Sequence, residues 1–258
     1  MTKTIAMMQP YWFPYLGYFQ LIATSDAFVL GDDLQYIKDG WINRNRILAA
    51  GKPWMFSLPL KKDQHGLNIN QRQLSDDVDA AMDKLLKTLA LNYARAPHRA
   101  EVMPLLEQWL HHPERNLARY LEHSIRQVCV YLGIDTPILT ASDLEINQVE
   151  DKQDRVVRTM KKLDGKRYLN PVGGLSLYDE AYFERAGLEL RFHKMSELSY
   201  PQFKQPFVAN LSIIDVLMFN PVERIRQWLP LFACLPPLPS TAQAEPEAVA
   251  KHQQPTFA

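Results

Sequence analysis

An excess of charge of one sign is absent from this chain: Lys and Arg together number 29, and so do Asp and Glu. That balance excludes a global attraction to nucleic acid or to an anionic membrane surface. Cysteine is nearly absent. Cys129 and Cys234 are the only two, both in apolar contexts, and they read as reduced core or near-core thiols of a cytosolic protein. No run approaches the ~20 apolar residues of a membrane span, and no long apolar leader opens the chain. A cytoplasmic location without membrane insertion is therefore expected. Three phosphate or nucleophile signatures are also missing: Gly-x-Gly-x-x-Gly, Gly-x-x-x-x-Gly-Lys and Gly-x-Ser-x-Gly. His111 and His112 are adjacent, so on a helix they point about 100° apart and cannot share one ion. The residues assign no metal and no cofactor.

At 258 residues the chain is long enough to bury a sizeable core. Ile5-Ala6-Met7-Met8 is a short apolar run that stops at Gln9-Pro10, as a buried first strand would. A loop follows with Tyr11, Trp12, Phe13, Tyr15 and Tyr18, its path fixed by Pro10, Pro14 and Gly17. Phe19, Leu21 and Ile22 mark a short helix, and Asp26 to Leu30 a second strand. Strand, glycine-containing loop, helix, strand is the skeleton of a parallel βαβ unit, whose ligands bind beyond the strand ends. Two strands around a Gly51-Lys52-Pro53 turn come next.

From Asp76 to Gly133 the period changes to that of helices. Val78, Ala81, Met82, Leu85, Leu86 and Leu89 form an amphipathic stripe. Two more helices follow, the last beginning near Pro113 and stopped by Gly133. Strand-like Ile138–Thr140 then returns to the sheet. A second strand, Gly-Gly loop, helix and strand runs from Lys166 to His193. The expected fold is α/β: a Rossmann-like, mostly parallel sheet flanked by helices, with a helical insertion. Residues 1–75 and 134–234 would be the two halves of the α/β domain, 76–133 the insertion, and 235–258 a disordered tail.

Chemistry gathers at the first strand ends. Gln9 closes one strand, Gly31-Asp32-Asp33-Leu34-Gln35 leaves the next, and Asn43-Arg44-Asn45-Arg46 lies just beyond. Both arginines face one way if this segment is a strand, and their forks suit a carboxylate or phosphate.

The chain resembles the WbqC-like family, bacterial proteins named from an O-antigen polysaccharide gene cluster. The matching residues are Gln9-Pro10, Phe13-Pro14, Leu16-Gly17-Tyr18-Phe19, Ile22, Asp26, Phe28-Val29, Asp32-Asp33, Gln35 and Arg44-Asn45-Arg46-Ile47. The order continues through Trp54 to Pro59, Tyr93, Tyr168-Leu169, Tyr200 with Gln202, Phe207 and Leu211 to Leu217, so the likeness spans roughly Thr4 to Leu229. It implies a transferase for a small polar substrate in surface-polysaccharide or amino-sugar metabolism, with an acyl or aminoacyl group passing to an amine as the reaction to expect.

A remoter likeness is to the HIGH-motif nucleotidylyltransferases, which carry His-x-Gly-His where this chain has Tyr15-Leu16-Gly17-Tyr18. Neutral phenols donate hydrogen bonds but supply no cation. A nucleotide-binding enzyme and a non-catalytic small-molecule binding protein both stay open as alternatives. The expected site holds Asp32 and Asp33 as catalytic carboxylates. Gln9, Tyr15, Gly17, Tyr18, Gln35, Arg44, Asn45, Arg46 and, through the family pattern, Gln202 would contact an anionic or sugar-like substrate. Oligomeric state is open.

Overall fold

Ile5 to Met8 are apolar, uncharged and closed by a proline, and they lie at the centre of a six-stranded sheet. A computed structural model describes residues 2–146, 149, 151–203 and 206–237. Strand β1 (Thr4–Met8) leads through helix α1 (Leu16–Ala23) to β2 (Ala27–Leu30), which pairs parallel with β1, Ile5 beside Ala27 and Met8 beside Leu30. Hairpin β3 (Arg44–Ala49) and β4 (Lys52–Ser57) forms a separate two-stranded sheet. Its turn places Ala50 and Gly51 at positive φ (49° and 75°), which glycine adopts without strain.

Helices α2 (Val78–Asn92), α3 (Arg99–Leu110) and α4 (Leu117–Leu132) follow. α4 starts later than the proline suggests, because Asn116 caps it by accepting from the Arg119 amide at 3.2 Å. It ends where Gly133 turns left-handed at φ 67°. The expected stripe is the buried face of α2: Val78, Met82, Leu85 and Leu89.

The chain then runs β5 (Ile138–Thr140), α5 (Lys152–Lys162), β6 (Arg167–Pro171), α6 (Glu180–Arg185) and β7 (Glu189–Met195). Helices α7 (Ile213–Phe219) and α8 (Val222–Trp228) precede a strand the sequence did not announce, β8 (Phe232–Leu235). Strand order is β5-β2-β1-β6-β7-β8, parallel except for β8, which pairs antiparallel with β7. Leu235 therefore sits opposite Phe192. The expectation for 238–258 lies outside the described residues.

Each face of the sheet has its own core. One combines Ala6, Leu30 and Leu169 with α1, the three helices between 76 and 133, the hairpin and α7–α8. The 76–133 segment thus packs into the same core as the first βαβ unit. The other core joins Ile5, Met7 and Val29 to Val156, Met160, Phe183 and Phe192 under α5 and α6. Cys129 is buried in the first core, and burial pushes its thiol up to about 12. Cys234 is exposed, contrary to expectation, because β8 is an edge strand. No helix among the described residues is long and apolar enough to cross a membrane.

A buried polar network ties the helical segment to the C-terminal helices. Asp215 on α7 is 0 % exposed. Its Oδ1 accepts from the Tyr93 hydroxyl at 2.7 Å, and its Oδ2 accepts from Tyr200 and from Gln202 Nε2, both at 2.7 Å. The Tyr93 hydroxyl also accepts from the Leu48 amide on β3 at 2.9 Å. Burial raises the Asp215 pKa above the ordinary carboxyl value, with the three donors pulling it back.

Candidate functional site

In a sheet of order β5-β2-β1-β6-β7-β8 the chain builds outward from β1 in one direction, through β2 to β5. It then crosses back to β6 on the other side of β1. The order reverses between β1 and β6, and in open parallel sheets the crevice beyond the C-terminal ends of the strands at that reversal takes the ligand. A crevice of about 440 Å³ lies there. Met8, Tyr11 and Tyr15 wall it on the β1 side. Across from them stand Asn170 near the end of β6, Gly173 just beyond it, and His193 and Lys194 near the end of β7.

The loop after β1 decides which aromatics reach this crevice. Trp12, Phe13 and Tyr18 are within 1 % of full burial, and Trp12 meets Phe56 edge-on at 4.9 Å between centroids. Tyr11 and Tyr15 are only half-buried. Burial pushes the Tyr11 phenol up to about 12 and raises Tyr15 as well, so both stay protonated donors at neutral pH. At Gly17 a Cβ would come 2.4 Å from Tyr15 Cε2. The missing side chain there makes room for the Tyr15 ring.

His193 is 3 % exposed and stacks on Phe232 at 4.6 Å. Desolvation lowers its pKa to about 4, and the ring's hydrogen bond to its own backbone carbonyl pulls weakly the other way. Its Nε2 is buried and has no partner among the described residues. Asn170 is tied in place: its Oδ1 accepts from Tyr168 at 3.0 Å and its Nδ2 donates to the Pro171 carbonyl at 3.0 Å. Gly174 must lack a side chain, since a Cβ would lie 1.9 Å from Asn170 Nδ2.

The residues expected from the sequence divide between several places. Tyr15 lines the crevice. Arg46 is its neighbour through Asn210, a crevice residue whose carbonyl accepts from Arg46 Nη2 at 3.3 Å. Arg44 and Arg46 do share one face of β3, both over the Trp41 ring, at 5.8 and 5.1 Å. Arg44 is also ion-paired with Asp39 at 3.1 Å. Asp32 and Asp33 follow β2. Asp32 Oδ1 accepts from the Ser142 amide at 2.9 Å, and its Oδ2 from Ser142 Oγ at 2.6 Å and Asn70 at 3.2 Å. It lines a second, polar pocket of about 560 Å³ shared with Asn116, Glu122 and Asp143. Asp33 is ion-paired with Arg155 of α5, and its Oδ1 is buried without a partner among the described residues.

Other members turn inward or outward. The Tyr18 hydroxyl donates to the Gln9 carbonyl at 2.9 Å inside the core. Asn45 Nδ2 donates to the Trp12 and Phe13 carbonyls at 3.2 and 2.7 Å, clamping the aromatic loop onto β3. Gln202, 1 % exposed, belongs to the Asp215 network. Gln35 is exposed and bridges to Asn68. His193, Lys194, Asn170 and Asn210 were missed. The signal for the first three was the second βαβ repeat, whose Gly-Gly loop and terminal His-Lys follow the same strand-end rule; Asn210, just before α7, had no such signal.

The sequence model of the WbqC-like protein family matches residues 9–227. The chain belongs to the WbqC-like family. A Mycobacterium tuberculosis (strain ATCC 25618 / H37Rv) protein, described only as "Uncharacterized protein Rv1507c", is similar over 221 residues at 30 % identity. That alignment covers 84 % of this WbqC-like chain and 94 % of the mycobacterial one. No solved structure matches significantly.

Proposed function

We propose that this WbqC-like protein is a transferase for a small polar, anionic or sugar-like substrate in surface-polysaccharide or amino-sugar biosynthesis. In this reading an acyl or aminoacyl group passes to an amine held in the switch-point crevice. The observation that carries it is the crevice itself: two protonated phenols, an exposed lysine and a buried imidazole gather where the strand order reverses. Its volume falls within the range of small-molecule sites. Tyr15 would lie against the substrate body, and Lys194 and Arg46 would favour an anionic group at the mouth. Asp32 and Asp33, the carboxylates expected to be catalytic, are not among the residues that wall the crevice: Asp32 holds Ser142 and Asn70 in the second pocket, and Asp33 pairs with Arg155.

The nucleotidylyltransferase alternative is weakened by Tyr18, whose hydroxyl is committed to the Gln9 carbonyl and is not free to meet a phosphate.

The test is turnover. The purified chain is incubated with nucleotide-linked amino sugars and activated acyl or aminoacyl donors, and the acceptor's mass is followed. Gain of the acyl mass, reduced at least tenfold by Tyr15→Ala, supports a transferase. An acceptor that binds tightly and is recovered unchanged with every donor would make the protein a binding module instead.

A further inference from the structure

His193 is the one crevice side chain whose polar atom is both buried and left without a partner among the described residues. Buried acceptors without partners are rare in native proteins, because the lost hydration costs about 1–3 kcal/mol. The ring sits at the end of β7, fixed between Pro171 on β6 and Cys234 on β8 by strand register, and pressed against Phe232. In a neutral imidazole one nitrogen carries the proton, and with that proton on Nδ1 the buried Nε2 presents a lone pair only.

We propose that His193 is the specificity-determining acceptor of the crevice: its Nε2 takes a hydrogen bond from an O–H or N–H at the buried end of the ligand. The ligand class follows from the rest of the wall. Its body is apolar or ring-shaped, to lie against Tyr11, Tyr15 and Met8, and its opposite end is anionic, toward the exposed Lys194. A neutral imidazole lone pair rejects a carboxylate at the buried end, because two acceptors would face each other. The ligand therefore enters donor first. This rests on the crevice being the substrate site, but makes a separate demand on one atom.

The experiment uses the full chain with 13C-methyl methionine and 15N-ring histidine. Met8 and Met195 line the crevice and report occupancy, and the His193 nitrogen reports the hydrogen bond. The probes are 4-hydroxyphenylacetate and 4-methoxyphenylacetate, alike except that the second lacks the donor. Expected are saturable methyl shifts with the hydroxy probe, a moving Nε2 resonance, and affinity about tenfold or more above that of the methoxy probe. His193→Phe should abolish that discrimination, while His193→Gln, which keeps an acceptor, should retain part of it. Methyl shifts with equal affinity for both probes would overturn the role of His193 and leave the crevice as the substrate site. An Nε2 resonance already hydrogen-bonded without probe, and unmoved by it, would overturn it too. Silent methyls with both probes would overturn the role of His193 and the crevice reading together.

Discussion

Asp215 on α7 and His193 on β7 are both polar and both buried, yet their surroundings are opposite. Asp215 has three donors on its two oxygens, drawn from Tyr93, Tyr200 and Gln202. His193 has a nitrogen that nothing described meets. A saturated buried group holds the fold together; an unsaturated one at a crevice wall is where a ligand can be recognised. The two should therefore respond differently to removal.

The largest effect should come from Asp215→Ala. It removes the shared acceptor of three buried donors, leaving only Gln202 with another, the Val208 carbonyl at 3.1 Å, and unlocks Tyr93 from α7, at a cost of roughly 3–5 kcal/mol. Denaturant unfolding should show this as a lower midpoint. A loss under about 1 kcal/mol would break the contrast with His193.

Next comes pH. His193 titrates near 6.5 when unfolded and about 4 when folded, so the unfolded chain binds the proton first as pH falls. The stability due to keeping the ring neutral is complete above pH 6.5 and is lost on the way down through 4, roughly 3 kcal/mol in all. Stability measured from pH 7 to 4 should fall more steeply in the natural chain than in His193→Phe. Parallel curves would mean that the folded chain protonates His193 as readily as the unfolded one.

Gly174→Ala should cost about 1–3 kcal/mol, because its Cβ collides with Asn170 Nδ2 and one of the two must move. Gly173→Ala, whose Cβ would meet nothing within 4 Å, is the control and should be near neutral. Thermal melts of the pair separate close packing from loop flexibility. The smallest effect is His193→Phe at pH 7: exchanging a buried ring whose Nε2 has no partner among the described residues for an apolar one should leave the midpoint unchanged or raise it by up to ~1 kcal/mol equivalent. A clear loss would show that the ring has a structural partner after all.

The same contrast explains what could be read from the residues. The first βαβ unit was legible because Ile5–Met8 and Ala27–Leu30 are uncharged runs bounded by proline and glycine, and the stripe from Val78 to Leu89 has only one helical reading. β8 was not legible. Phe232–Leu235 is four residues long, lies at an edge and is ordered by pairing with β7 and by Gln20, which donates to the Trp228 and Leu231 carbonyls at 2.7 and 3.0 Å. At the site, polar residues near strand ends were found, but their direction was not. Asn45 and Tyr18 look like ligand contacts in sequence, and only the packed loop shows their amide and hydroxyl turned onto backbone carbonyls. His193 looked like the tail of a strand until β6 and β7 placed it across from Tyr15.

The pairing of β1 with β6 sets Thr4 beside Arg167, and this has a consequence for the order of assembly. A chain leaving the ribosome can fold β1, β2 and β5 against the three helices before β6 has been made. The crevice cannot exist then, since its far wall arrives with Asn170, His193 and Asn210. For most of synthesis β1 presents an open edge and the aromatic loop has no opposite bank. The crevice is among the last parts of the protein to be completed, and a product shortened before residue 210 lacks the wall that Asn210 supplies.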